Sequence, residues 1–82
     1  MKRKIILGIY FDQKTKDTLL VQNILTKFGC SVRTRLGLHD MDEENNDFSL
    51  ILLELTGDMN ECMKLENELL KIEGLKVQKM LF

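Results

Sequence analysis

The chain contains no proline and no tryptophan, one histidine, two cysteines, four phenylalanines and one tyrosine among its 82 residues. Each shortage removes a class of function. A single histidine, His39, and two cysteines outside any C-x-x-C spacing, Cys30 and Cys62, cannot supply a four-ligand zinc site within one chain. No metal and no cofactor is expected. There is no glycine-rich phosphate loop, no nucleophile elbow and no carboxylate pair at a defined cleft, so an enzyme is not expected either. The acidic stretch around Asp40-x-Asp42 fails as a calcium loop, because its sixth position is Asn45 and its twelfth is Ile51. Charge of one sign is also missing. Twelve basic residues against thirteen acidic ones leave a net charge of −1, without the basic excess of an autonomous nucleic-acid binder. No apolar stretch approaches the ~18 residues of a membrane helix. The basic start Met1-Lys2-Arg3-Lys4 leads into an apolar run that ends at Asp12, too short for a secretory core with a cleavage site. The expectation is a cytoplasmic protein with free thiols and no membrane partner.

What is present is said twice, about 45 residues apart. Lys4-Ile5-Ile6-Leu7 lines up with Ser49-Leu50-Ile51-Leu52, Leu20, Ile24 and Leu25 with Leu65, Leu69 and Leu70, and Gly29 and Val32 with Gly74 and Val77. Each half reads as an apolar strand, an amphipathic helix, a glycine and a strand. The first helix places Leu20, Val21, Ile24, Leu25 and Phe28 on one stripe, with Thr15 as its N-cap. The second places Cys62, Leu65, Leu69 and Ile72 on its stripe. Asp58 and Glu61 have capping-box spacing before it, and Lys64–Glu68 form an i,i+4 pair along it. Glycines 29 and 74 are expected to stop the two helices. Residues 30–38 alternate as a half-buried edge strand, and 39–47 form a polar hairpin loop. The order βαββαβ, with right-handed crossovers, predicts one α+β domain over residues 1–82. It is a ferredoxin-like sandwich whose antiparallel four-stranded sheet has the order 4-1-3-2, with both helices on one face.

RNA-recognition modules share this order but stack bases on aromatics in the third strand. Here that strand is Phe48-Ser49-Leu50-Ile51-Leu52-Leu53, which offers no stacking platform, and no direct nucleic-acid contact is expected.

Two helices cover only one face of a sheet, and an uncovered face should alternate apolar with polar. The first and third strands do not alternate. Ile6 and Tyr10 oppose Ile5, Leu7 and Ile9, and Leu50 and Leu52 oppose Ile51, Leu53 and Leu55. Whichever set meets the helices, large apolar side chains remain on the far side, each forfeiting roughly 1.5–3 kcal/mol if left in water. A chain this short also buries only ~60–65% of its unfolded surface on its own. The expectation is a homo-oligomer, dimer or tetramer, assembled through the sheet, with Ile5, Leu7, Ile9, Leu50 and Leu52 as interface residues. Arg33 and Arg35, on one face of the second strand with Gly37, could hold an anion or discourage edge aggregation.

Several segments carry a family resemblance: Arg35-Leu36-Gly37-Leu38-His39, Thr56-Gly57-Asp58, Leu65-Glu66-x-Glu68-Leu69, Glu73-Gly74-Leu75-x-Val77-Gln78 and Lys79-Met80-x-Phe82. Together they resemble the small proteins known as iron-only hydrogenase system regulators. That family is similar to ACT domains and to the C-terminal ligand-sensing domain of nickel-responsive repressors. The resemblance implies the same fold, assembly through the sheet and a regulatory or ligand-sensing role in the hydrogenase system, including transcriptional regulation. On this footing a small effector would bind between subunits near the first strand–helix loop, within reach of Asp12, Gln13, Arg33, Arg35 and His39. The segment Asp12-Gln13-Lys14-Thr15 lacks the glycine usual in amino-acid-binding ACT domains, and one histidine cannot reproduce a nickel sensor's ligands. A protein–protein adaptor without a small ligand is the alternative.

Overall fold

A computed structural model describes residues 4–11, 17–38 and 50–82. Strand β1 (Ile5–Phe11) is followed by helix α1 (Thr18–Lys27), one 3-10 turn (Gly29–Ser31), strands β2 (Val32–Leu38) and β3 (Leu50–Leu55), helix α2 (Met59–Leu70) and strand β4 (Leu75–Leu81). All neighbouring strands are antiparallel, in the order β2-β3-β1-β4, which is the expected 4-1-3-2 arrangement.

The register assigns the faces. Ile5, Leu7 and Ile9 of β1 lie opposite Leu55, Leu53 and Ile51 of β3. These six side chains are buried together with Val21, Ile24, Leu25 and Phe28 of the first helical segment and Cys62, Leu65, Leu69 and Ile72 of the second. Side chains two apart share a face of a strand, so the odd-numbered residues of both central strands meet the helices. The even-numbered ones, Ile6, Tyr10, Leu50 and Leu52, point away. Arg35 and Lys79 lie on the helix side of the flanking strands, where they meet Gln22 and Glu66.

The helix starts follow local chemistry. Asp17 caps α1, its carboxylate accepting from the Leu20 amide at 2.9 Å. The expected cap, Thr15, lies outside the described residues. Asp58 caps α2, accepting from the Asn60 amide at 2.9 Å. Glu61 does not close a capping box. It pairs instead with Lys64 at 3.3 Å, and Glu68 reaches across to Lys27 of α1, also at 3.3 Å. The two glycines thought equivalent differ. Gly74 has φ +82° in the turn into β4, a conformation other residues rarely adopt, whereas Gly29 opens the 3-10 turn without positive φ. The Thr56 amide donates to the Ser31 carbonyl at 2.8 Å, tying the start of β2 to the end of β3.

β2 contains the one irregularity in its ladder. Val32 pairs with Leu55 and Thr34 with Glu54, so Arg33 is an extra residue, a bulge. Val32 therefore packs against the core while Thr34, Leu36 and Leu38 share the opposite face. A regular strand would put all four on one face, as the alternation in the sequence suggests.

Candidate functional site

The face of the sheet away from the helices is the candidate site. Across it run three rows set by the register: Thr34, Glu54, Ile6 and Met80; Leu36, Leu52, Gly8 and Gln78; Leu38, Leu50, Tyr10 and Lys76. Leu36, Leu38, Tyr10 and Met80 are 40–51% exposed and Phe82, beyond the end of β4, is 75% exposed. Ile6, Leu50 and Leu52 are half-buried by their neighbours. These apolar groups form one band that reaches all four strands, with Thr34 and Glu54 at one corner and Gln78 and Lys76 along β4 towards the opposite one.

One corner is a polar cluster on Glu54. Its carboxylate accepts from Lys4 Nζ at 3.1 Å and from the Thr34 hydroxyl at 2.9 Å. These two bonds, Lys4 first, hold the Glu54 carboxyl below its ordinary value of 4.5, and the charges of Lys4 and Arg33 act in the same direction. At the opposite corner the Lys76 ammonium lies 6.0 Å from the centre of the Tyr10 ring.

The expected interface residues divide between the two sides. Leu50 and Leu52 are on the open face. Ile5, Leu7 and Ile9 are not. They are 7%, 0% and 0% exposed inside the protomer, covered by α1 and α2, and that part of the assignment is corrected. Their places are taken by Ile6 and Tyr10 on β1, Leu36 and Leu38 on β2 and Met80 on β4. A sequence signal existed for the β2 pair, whose spacing of two matches Leu50 and Leu52 across the ladder. For β1 the signal was absent, because both its faces are apolar.

Of the expected effector contacts, Asp12, Gln13 and His39 lie outside the described residues. Arg33 and Arg35 are described and do not act together. Arg35 Nη2 donates to Gln22 Oε1 at 2.6 Å on the helix side, whereas Arg33 is the bulge residue whose charge is felt at Glu54. Among the described residues no three histidine, cysteine, aspartate or glutamate groups converge as metal ligands. Cys30 is exposed. Cys62 is buried, its Sγ donating to the Thr56 carbonyl at 3.4 Å, and burial, reinforced by the Asp58 charge, pushes its thiol above the ordinary value of 9.0. Among the described residues no helix is long and apolar enough to cross a membrane.

No family model matches the sequence, and no curated protein matches it. Solved structures do. An uncharacterized protein from Thermotoga maritima superposes with a TM-score of 0.79 at 23% identity, covering 99% of each chain. A protein assigned as a PII-like signaling protein of Thermus thermophilus gives 0.47 at 11% identity, over 100% of this chain and 92% of its own. A nitrogen regulatory PII-like protein of Thiomonas intermedia, bound to ADP, AMP and bicarbonate, gives 0.44 at 13% identity, over 98% and 91%. The first establishes the fold along the whole chain. The other two are too distant to carry anything further.

Proposed function

We propose that the protein is a small regulatory or ligand-sensing module that works as a homo-oligomer, two copies joining through the open faces of their sheets. The observation that carries this reading is the apolar band on that face. None of the described residues covers it. Tyr10, Leu36, Leu38 and Met80 within it are 40–51% exposed, and contiguous exposed apolar side chains mark an interaction surface. A second copy fits because both surfaces then lose the same apolar band to each other, as an isologous contact requires.

The narrower role, regulation of the iron-only hydrogenase system, is what the sequence resemblance supplies. The effector contacts Asp12, Gln13, Arg33, Arg35 and His39 belong to the same proposal. Arg33, next to the Glu54 cluster, would sit at the rim of the paired sheets. An effector bound there would act by strengthening or weakening the contact between copies.

Sedimentation equilibrium tests the assembly. A dimer, or a tetramer built from dimers, is expected at micromolar concentration, and a monomer at tens of micromolar would end the proposal. A thermal-shift screen against amino acids, nucleotides and metal ions tests sensing, because a ligand that binds only the folded state raises the midpoint. A saturating response to one class is expected. No response to any of them would leave an adaptor without a small ligand.

A further inference from the structure

β4 is one of the two edges of the sheet, and no described strand lies beyond it. The Phe82 amide donates to the Lys4 carbonyl at 2.9 Å, so Lys4 and Phe82 extend the β1–β4 ladder as a hydrogen-bonded pair. Such pairs alternate along an antiparallel ladder. Met80, Gln78 and Lys76 therefore turn their backbone groups towards Ile6, Gly8 and Tyr10, while Val77, Lys79 and Leu81 turn theirs outward. This edge lacks the devices that block strand addition. It runs for seven residues without proline or register shift, whereas the other edge, β2, is bulged at Arg33. Its two lysines are drawn aside, Lys79 to Glu66 of α2 at 3.1 Å and Lys76 over the Tyr10 ring at 6.0 Å. α2 is exposed on the same side. Glu66 reaches β4 and Glu68 reaches α1, which identifies the two flanks of the helix. At 100° per residue, Met59, Met63 and Leu70 fall within about 60° of Glu66, on the β4 flank. They are 44%, 54% and 56% exposed. An open backbone edge and an exposed apolar stripe thus lie side by side.

We infer that a second copy of this chain docks at this edge, β4 pairing antiparallel with its counterpart about a two-fold axis at Gln78. The two four-stranded sheets become one of eight strands, with both α2 helices on the same side of it. The occupant follows from the self-complementarity of the strand. With Gln78 on the axis, Val77 lies opposite Lys79, Lys76 opposite Met80 and Leu75 opposite Leu81, so no like charges oppose each other. A register centred on Lys76 or on Lys79 would set lysine against lysine. Gln78 is the middle of the seven residues, so this register also pairs the whole strand. It places outward-facing Val77 against outward-facing Lys79, as an antiparallel ladder requires. Strands stand about 4.8 Å apart, which brings helices resting beside the join towards the ~8–10 Å of packed pairs. Met59, Met63 and Leu70, two of them flexible methionines, then fill the seam between the helices. This contact leaves the open face of the sheet uncovered. It stands independently of the assembly proposed above, and the two contacts together would give a tetramer.

Residue-by-residue amide hydrogen exchange on the wild type tests the pairing directly. The Val77 and Lys79 amides should be protected to within about tenfold of the Gln78 and Met80 amides. Met63→Asp, a change at an exposed helix position, should speed exchange at Val77 and Lys79 by at least about tenfold and leave Gln78 and Met80 unchanged. Free exchange at Val77 and Lys79 beside protected Gln78 and Met80 would overturn the inference. Sedimentation at the same protein concentration separates this contact from the one through the open face, with circular dichroism to confirm folding. Leu36→Asp spares the β4 edge and should remain a dimer, whereas Leu36→Asp combined with Met63→Asp should be a monomer. A folded, monomeric Leu36→Asp from an associated wild type overturns the edge contact and leaves the face contact standing. A wild type that Leu36→Asp leaves unchanged and Met63→Asp dissociates does the reverse. Should Leu36→Asp not fold, the amide pattern of the wild type decides alone.

Discussion

Glu54 stands on the otherwise apolar side of a central strand. Its folded-state pKa is depressed by Lys4 and Thr34. The stabilisation is therefore complete above about pH 4.5, the unfolded value, and is lost as pH falls through the lower folded value. Glu54→Gln should flatten the acid limb of a stability–pH curve in that window by slightly lowering the neutral plateau, as a urea-melt series at pH 2–7 would show. Leu53, fully buried on the same strand, responds differently. Leu53→Ala should cost about 2–5 kcal/mol in denaturant titration at any of these pH values. The two thiols provide a third contrast. Cys30 should alkylate rapidly with a mild reagent, and Cys62 only as the protein unfolds, because its thiolate is disfavoured by burial. Equal rates at both cysteines would contradict the packing of α2.

The helices and strands were legible to different degrees, for physical reasons. Both helices were readable because a 3.6-residue period leaves one stripe apolar. Val21, Ile24, Leu25 and Phe28, and Cys62, Leu65, Leu69 and Ile72, are all buried as the period requires. Leu20 was the exception, at 42% exposed on the edge of its stripe. Strand order followed from the two βαβ units. The facing of the central strands did not follow, since Ile5-Ile6-Leu7 and Leu50-Ile51-Leu52-Leu53 are apolar on both sides. The repeat misled here by one residue. Spaced at 45, it set Leu7 beside Leu52. The structure sets core on core at a spacing of 44: Leu7 with Ile51, Ile9 with Leu53, Val21 with Leu65, Leu25 with Leu69 and Phe28 with Ile72. A one-residue slip reverses every side chain of a strand, so Ile5, Leu7 and Ile9 face the helices while Leu50 and Leu52 face away. Of the candidate effector site even less was legible, because Arg33 and Arg35 are separated by a bulge that no composition announces. At this scale the caps can be tested. Asp58→Ala and Asp17→Ala should each cost about 1 kcal/mol in a urea melt, by removing the acceptor for the Asn60 and Leu20 amides respectively. Replacement by asparagine should restore most of that.

For the molecule as a whole, the apolar side of the sheet and the outer surface of α1 are both exposed, yet only one is proposed to join copies. Leu36 and Leu19 are 51% and 69% exposed. Leu36→Asp should halve the mass of the oligomer by sedimentation, whereas Leu19→Asp should leave association unchanged. If the two variants behave alike, the sheet is not the contact surface. The thermal midpoint of the wild type should also rise with protein concentration, as linkage to assembly demands. The extra residue in β2 has a consequence at this scale. Without Arg33, Val32 and Thr34 would be chain neighbours and would fall on opposite sides of an ordinary ladder, where the bulge already puts them. The edge strand thus carries one residue of slack. An in-frame loss of that codon would remove a charge beside Glu54, yet leave valine inside and both leucines outward. Chain length could drift here over generations while the quaternary contact went on unaltered.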